Sequence, residues 1–378
     1  MIFACPDLDA EELDTVAQIA ALREKLKLAT RQARRWKGIL LRGAFARAIQ
    51  GSNSIEGHNV TYEDAVAAIE NEEPLDADRE DWEAILGYRD AMTYALQLSE
   101  ETEFLHSLDL IKSLHFMMMK YDLRKHPGRW RPGFIYIRND ATGEMVYDGP
   151  SIDAVPSLMD EYVTSLNAAN GVPVIVRAAM AHLNLAMIHP FSDGNGRMSR
   201  IMQTLVLSRD GILEPEFCSI EEYLGASRLD YYRVLETVGQ GKWHPENDAK
   251  PWIRFCLQAH YRQAERLLRR TRTYERAWAE LENLAKKLDI PERAITAIFN
   301  ATFGFKVRNA TYRKDADVSE NLASRDLKLL VDLGLLVSKG EKRGRYYVAS
   351  EELVKIRLLV REQIRAPEPK HIGQLWLP

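Results

Sequence analysis

The sequence predicts a mainly α protein with one β-hairpin in its first two-thirds and a smaller unit of different character towards its C-terminal end. Three observations carry this reading. Apolar residues recur at helical spacing through most of the 378 residues. The pattern breaks clearly at residues 128–150, where Phe134-Ile135-Tyr136-Ile137 and Met145-Val146-Tyr147 flank the turn-rich Asn139-Asp140-Ala141-Thr142-Gly143. From about residue 280 to 350, short helical patterns lead into a basic hairpin at 339–347. A chain of this length is expected to form two or three domains with ample core.

Composition narrows the class. The hydrophobic fraction is 46%, and no apolar run is long enough to span a bilayer, so no membrane partner is expected. The N-terminal residues lack the charged and apolar blocks of a secretory signal. Cys5, Cys218 and Cys256 are scattered, without metal-type spacing or a disulfide framework. A cytoplasmic protein is the simplest expectation. A net charge of -4 argues against a surface coated uniformly for nucleic acid, although charge can be local.

The elements follow in order. Residues 9–35 read as one long polar-faced helix. A second runs from about 38 to 54, with Leu40, Leu41, Phe45 and Ile49 at helical spacing and Gly57 as a C-terminal cap. Thr61 caps the next, with Asp64 at the capping-box position. Further helices are predicted over 82–98 and 109–120. Met117, Met118 and Met119 in the latter read as flexible core filling. After the hairpin, Pro173 opens an Ala-rich helix from Val174 to Ile188 that Pro190 ends. A helix from Met198 to Ser208 follows, with Ile201, Met202, Leu205 and Val206 on one face.

Between those two helices lies the most informative stretch, His189-Pro190-Phe191-Ser192-Asp193-Gly194-Asn195-Gly196-Arg197, with Arg200 one turn on. Gly194 and Gly196 allow a tight turn and close approach of a ligand. The loop feeds a helix N-terminus, where free N–H groups and the dipole favour an anion, and Arg197 and Arg200 add charge. Polyphosphate is the natural ligand of such a nest. Asp193 is a candidate magnesium ligand, since magnesium takes one or two carboxylates plus phosphate oxygens. His189 is placed to take a proton from an attacking group. Phe191 reads as an apolar anchor.

This string resembles the signature of Fic-domain proteins, and every motif position of that family is filled. The resemblance implies a Fic-type helical bundle with a hairpin flap beside the site. It implies a protein adenylyltransferase that uses ATP and Mg2+ to modify a Ser, Thr or Tyr hydroxyl of a target protein. His189 would be the base and Asp193 the metal ligand. Gly194, Asn195, Gly196, Arg197 and Arg200 would hold the nucleotide, with Asn195 donating from backbone or side chain. Ser52-Asn53-Ser54-Ile55-Glu56-Gly57 fits the family's inhibitory helix in its N-terminal position, with Ser52 and Glu56 as the inhibitory residues and Glu56 paired to Arg200. Ile137 and Val146 become candidates for flap contacts to the target. Tyr232, from Arg228-Leu229-Asp230-Tyr231-Tyr232, resembles an aromatic of the adenine pocket. The family's adenine-binding Asn is in doubt, because a longer segment from Gly239 to Lys250 intervenes.

Two alternatives stay open. Glu56 could position a water that removes AMP, or the chain could be a DNA-binding regulator with a silenced or ATP-sensing Fic domain. The second arises because residues 318–327 resemble a helix-turn-helix recognition helix and 339–347 a wing, with Arg325, Lys328, Lys342, Arg343 and Arg345 available to phosphates. The expected organisation is an N-terminal helical region over 1–110 with the inhibitory helix at about 38–57. A catalytic domain follows over 111–275, then a winged helix-turn-helix domain over 276–366 and a tail over 367–378. Oligomeric state stays open, a homodimer included.

Overall fold

The structure is a computed structural model. It describes all residues except 32–34, 75, 102, 135, 139–144, 169–170, 210, 212–213, 342–343 and 365–378, and gives no side-chain placement for 35, 136–138, 145–146 and 215. The protein is mainly helical. It begins with α1 (Ala10–Thr30), capped by Asp9, whose carboxylate accepts from the N–H groups of Glu11 and Glu12. The single helix expected over 9–35 ends at Thr30. The next helix, α2 (Arg35–Ile55), is the expected inhibitory one.

Then follow α3 (Tyr62–Glu70), α4 (Arg79–Leu98) and α5 (Leu108–Met119). Each has a side-chain cap, from Thr61, Asp78 and Ser107 respectively, and Thr61 with Asp64 forms the reciprocal capping box. A 3-10 turn at Leu123–Lys125 leads to the hairpin of β1 (Tyr136–Arg138) and β2 (Met145–Asp148). The strands are antiparallel, with a register shift between Ile137 and Arg138.

Beyond the hairpin come α6 (Val155–Asn167), α7 (Val174–Ile188), α8 (Asn195–Ser208), α9 (Glu221–Ala226), α10 (Arg228–Gly239) and the long α11 (Lys250–Lys287). Helices α6 and α9 are not among those the sequence predicts. Asn195, Gly196 and Arg197, expected in the loop before a helix from Met198, form the first turn of α8. The remaining elements are α12 (Ile295–Thr302), α13 (Asn309–Ala316), α14 (Glu320–Asp332), β3 (Leu336–Lys339), β4 (Tyr346–Ala349) and α15 (Glu351–Gln363). Of these, α13 and α15 were not expected. Both are polar helices with weak apolar periodicity, and α13 buries only Tyr312.

Contacts divide the chain into two units. Among the described residues, the first joins Met1–Lys27 to Gly43–Glu265; the second joins Leu28–Arg42 to those that follow Glu265. In the first, α7 and α8 form a central antiparallel pair, and α4 packs on both α8 and α5. Burial of α8 is nearly all-round, so Arg197, Ser199, Arg200, Gln203 and Thr204 lie inside with its apolar residues. A polar helix face in the interior requires partners; those partners build the site. In the second unit, α12, α13 and α14 are followed by the β3–β4 hairpin. Asn321, Ser324, Arg325 and Lys328 lie on the solvent side of α14, and Lys342 and Arg343 lie outside the described residues. No helix among the described residues is long and apolar enough to cross a membrane.

Candidate active site

The site starts where α7 stops. Pro190 cannot continue a helix, and His189 caps α7 in the left-handed region with φ 51°. Its N–H donates to the Leu185 carbonyl, 3.0 Å away. The same turn brings Nδ1 to 3.1 Å from the Ala186 carbonyl oxygen. A carbonyl only accepts, so Nδ1 carries the proton and Nε2 keeps a free lone pair. Burial pushes the pKa of His189 down to about 4, so the ring is neutral at neutral pH. A neutral imidazole with a free Nε2 is equipped to accept a proton.

The loop after His189 is held from several sides. Phe191 is fully buried, and its ring stacks on His115 with centroids 3.7 Å apart and planes within 3°. His115 also donates from Nε2 to the Asp193 carbonyl at 2.9 Å, a direction set by the Gly128 N–H, which donates to Nδ1 at 2.9 Å. Burial holds His115 down to about 4, so it too is neutral. Asn195 closes the loop on itself. Its Oδ1 accepts from the Phe191 N–H and its Nδ2 donates to the Phe191 carbonyl, each at 2.9 Å. The side chain expected to meet phosphate therefore clamps the loop, and Asn195 offers a ligand its backbone N–H at the start of α8. Arg131 is buried, and its guanidinium donates to the carbonyls of His189, Gly133 and Pro150 at 3.0, 2.7 and 2.5 Å. It thereby ties the loop to both feet of the hairpin.

At the head of α8 two glycines border the site, and the backbone geometry requires the first of them. Gly194 has φ 76°, and a Cβ there would come within 2.7 Å of Met118 Cε. At Gly196 a Cβ would stand 2.3 Å from Glu56 Oε1. Arg197 and Arg200 are buried here, at 2% and 1% relative exposure. Arg197 donates from Nη2 to Met119 Sδ at 3.1 Å, yet among the described residues its Nε and Nη1 have no hydrogen-bond partner, and Nη1 of Arg200 has none either. Met118 and Met119, read from sequence as filling, form the floor of the nest. The Asp193 carboxylate is half-exposed. Its Oδ1 accepts from the Gly194 N–H at 2.6 Å and its Oδ2 lies 3.1 Å from Lys125 Nζ. Burial opposes ionisation of Asp193, but the charges of Arg197 and Lys125 outweigh it and hold the carboxyl below its ordinary range.

The C-terminal end of α2 completes the arrangement. Arg200 donates from Nε to Ser52 Oγ at 2.8 Å and from Nη2 to the Ser52 carbonyl at 3.1 Å, and pairs with Glu56 Oε1 at 2.5 Å. Burial works against the Glu56 charge; Arg200 and Arg197 overcome it and lower its pKa. The carboxylate lies over Gly196, on the anion nest. Helix α2 reaches this depth through small residues. A Cβ on Gly51 would stand 2.3 Å from the Glu221 carbonyl oxygen, and one on Gly225 2.9 Å from Gly51 Cα.

Tyr232 lies beside the same helix end, donating from its hydroxyl to the Ile55 carbonyl at 3.0 Å while its ring is 41% exposed. The segment that put the adenine contact in doubt runs along the hairpin. Asp148 N–H donates to the Gly241 carbonyl at 3.0 Å and Trp243 N–H to the Asp148 carbonyl at 2.9 Å. That pairs the outer edge of β2 at Asp148 and leaves the outer edge of β1 unpaired among the described residues. The side chains of Ile137 and Val146 lie outside the described residues. Tyr147 anchors the hairpin, donating to the Met187 carbonyl at 2.9 Å. His189, Asp193, Gly194, Asn195, Gly196, Arg197, Arg200, Ser52 and Glu56 thus converge. His115, Lys125, Met119 and Arg131 join them without any motif to announce them.

Among the described residues no cluster of His, Cys, Asp and Glu could hold a metal by itself. A single carboxylate beside a phosphate nest still fits magnesium, which is held through one or two carboxylates and its substrate's phosphates. The Lys125 ammonium on Asp193 shows that a cation is accommodated there.

Comparison with known proteins matches this region. The Fic/DOC family model covers residues 105–207. Protein adenylyltransferase Fic of Nematostella vectensis is 26% identical over 245 residues, covering 62% of this chain and 51% of that protein. Its namesake in Culex quinquefasciatus is 27% identical over 246 residues, covering 64% and 43%. The chain therefore spans about half the length of the curated relatives it matches or less. Among solved structures, a Fic family protein from Desulfovibrio desulfuricans superposes with a TM-score of 0.58 at 21% identity, covering 92% of this chain and 98% of that one. A Fic domain-containing signaling protein from Bacteroides thetaiotaomicron gives 0.54 at 21% identity, covering 69% and 97%. The motif, the fold and these likenesses agree on one region, residues 105–207, which resembles the Fic/DOC family.

Proposed function

We propose that this chain is a protein adenylyltransferase that moves AMP from ATP to a Ser, Thr or Tyr hydroxyl of a target protein, and that Glu56 restrains it. The observation that carries the reading is the set of buried guanidinium nitrogens without partners among the described residues, Nε and Nη1 of Arg197 and Nη1 of Arg200. Buried donors left unmade are costly, and phosphate oxygens at a helix N-terminus satisfy them. Relatives bearing the name protein adenylyltransferase support the same chemistry.

The roles follow from the geometry. His189 takes the hydroxyl proton at Nε2 as the oxygen attacks the α-phosphorus. The bond from that phosphorus to its bridging oxygen breaks, and Arg197 and Arg200 stabilise the departing pyrophosphate. Asp193 would hold the magnesium, which when bound neutralises phosphate charge. A target chain adds along the open edge of β1, as extended peptides add to unpaired strands. Glu56 keeps Arg200 occupied and places a carboxylate where the terminal phosphate would lie.

The test is transfer of label from ATP carrying a radioactive α-phosphate. Glu56→Gly removes the carboxylate and frees Arg200. A charged hydrogen-bonded pair is worth about 1.5–3 kcal/mol, so labelling should rise by about one to two powers of ten. Labelling no stronger than wild type would defeat the inhibitory reading. Loss of AMP removal from a modified target would instead assign Glu56 to hydrolysis.

A further inference from the structure

Lys125 is absent from every motif, yet it is the cation that faces the predicted metal ligand. The 3-10 turn that carries it is shaped by Asp122, whose Oδ1 accepts from the Arg124 N–H at 3.1 Å. Asp122 also takes the Arg124 guanidinium through two bonds of 2.8 Å. Arg124 is thereby committed outside the site, and Lys125 is the neighbour left to reach Asp193 Oδ2 at 3.1 Å. The preceding helix fixes the other end of the same residue, through His115 Nε2 on the Asp193 carbonyl. Asp193 is thus held by its backbone on one side and by a movable ammonium on the other.

The exposures decide what such a pair can do. Lys125 is 45% exposed and Asp193 38%, so the ion pair is screened, weak and readily exchanged. A lysine suits exchange: it is a compact point charge on a flexible stem, whereas the fork of an arginine would grip both carboxylate oxygens. A divalent cation and the ammonium need the same carboxylate. Beside it lies a nest whose unsatisfied donors call for phosphate.

We propose that Lys125 is a positioning residue that holds the Asp193 carboxylate until a divalent cation claims it, and then turns its ammonium onto the polyphosphate that accompanies the ion. The inference rests on the reading of Asp193 as the metal ligand of an ATP-using enzyme. Lys125 and the cation then compete in the absence of nucleotide and cooperate in its presence.

The test compares full-length wild type with Lys125→Met, Lys125→Arg and Asp193→Asn, using two binding measurements and no turnover. Mn2+ alone is titrated by electron paramagnetic resonance, and ATP in the presence of Mg2+ by calorimetry. Lys125→Met should bind Mn2+ alone about two- to five-fold more tightly, because its competitor is gone. It should bind ATP with Mg2+ about tenfold more weakly, because a charge-assisted phosphate contact is lost. Lys125→Arg should restore most of the ATP affinity. A gain without the loss, or a loss without the gain, overturns the proposal. If Asp193→Asn abolishes Mn2+ binding while Lys125→Met behaves as wild type, Lys125 alone is misassigned. If Asp193→Asn leaves Mn2+ binding unchanged, the metal assignment fails and the proposal falls with it.

Discussion

At the scale of the residue, the tautomer of His189 is the decisive detail. Its left-handed backbone turns Nδ1 onto the Ala186 carbonyl, and that one contact leaves the Nε2 lone pair free for the role of base proposed above. Alanine at this position would remove the imidazole and would also suit the left-handed backbone less well than histidine, which is enriched in that region. Asparagine tolerates it better. His189→Asn should therefore keep a melting temperature close to wild type while AMP transfer falls by about 10²–10⁴-fold, the usual worth of a positioned acid–base group. Wild-type transfer in that variant would remove His189 from the mechanism. Arg131 shows the complementary case: a buried arginine whose guanidinium serves only backbone carbonyls, so its charge organises the loop and does not act on phosphate.

At the scale of the element, the contact of α2 with α8 is set by how closely backbones approach. Glycines at 51 and 225 let α2 settle against α9, and glycine at 196 leaves room for the Glu56 carboxylate on the first turn of α8. A methyl group at 196 would meet Glu56 Oε1 at 2.3 Å. Gly196→Ala should therefore destabilise the wild type by about 1–3 kcal/mol, the range for overpacking. In a Glu56→Gly background the obstacle is gone, and the same change should cost much less, so the two substitutions are strongly coupled. Denaturant unfolding of the four proteins of this cycle measures that coupling. Additive effects would show that the carboxylate does not rest over Gly196 in solution. Transfer should stay low in both Gly196→Ala proteins, because the methyl fills the nest that phosphate needs.

At the scale of the whole molecule, the first unit holds His106, His115, His182, His189 and His260 in the neutral form. Burial lowers His106, His115 and His189 to about 4, and His182 and His260 to about 3. Unfolded, each would titrate near its ordinary value of 6.5. The folded form therefore resists protons that the unfolded form accepts. This stability is fully present above pH 6.5 and is lost as pH falls towards 4. Glu221 acts oppositely, because burial raises it to about 7; its contribution is present below about 4.5 and lost as pH rises through 7. The histidines outnumber it, so unfolding free energy should fall steeply from pH 6.5 to 5. Each net proton taken up contributes about 1.4 kcal/mol per pH unit. Chemical denaturation across that range checks the slope; a flat profile would mean that these histidines protonate inside the fold.

The sequence by itself determined most of what is local. A proline at each end marked α7, Thr61 with Asp64 marked the start of α3, and the alternation around Asn139–Gly143 marked the hairpin, because caps, breakers and periodicity act within a few residues. The glycines, arginines and acid of the loop were legible for the same reason: they follow one another within a few residues. What only the tertiary structure decided lies between elements far apart in the chain. His115 meets Asp193 across 78 positions and Glu56 meets Arg200 across 144. The Asn195 side chain, chemically suited to phosphate, is committed to Phe191 because the folded loop leaves backbone groups there that must be satisfied. Met119 and Lys125 belong to no recognisable pattern, since a thioether or an ammonium acquires its meaning from the group that packing sets beside it. Local physics chose the parts, and the close approach of α2, α5 and α8 chose which of them act on one another.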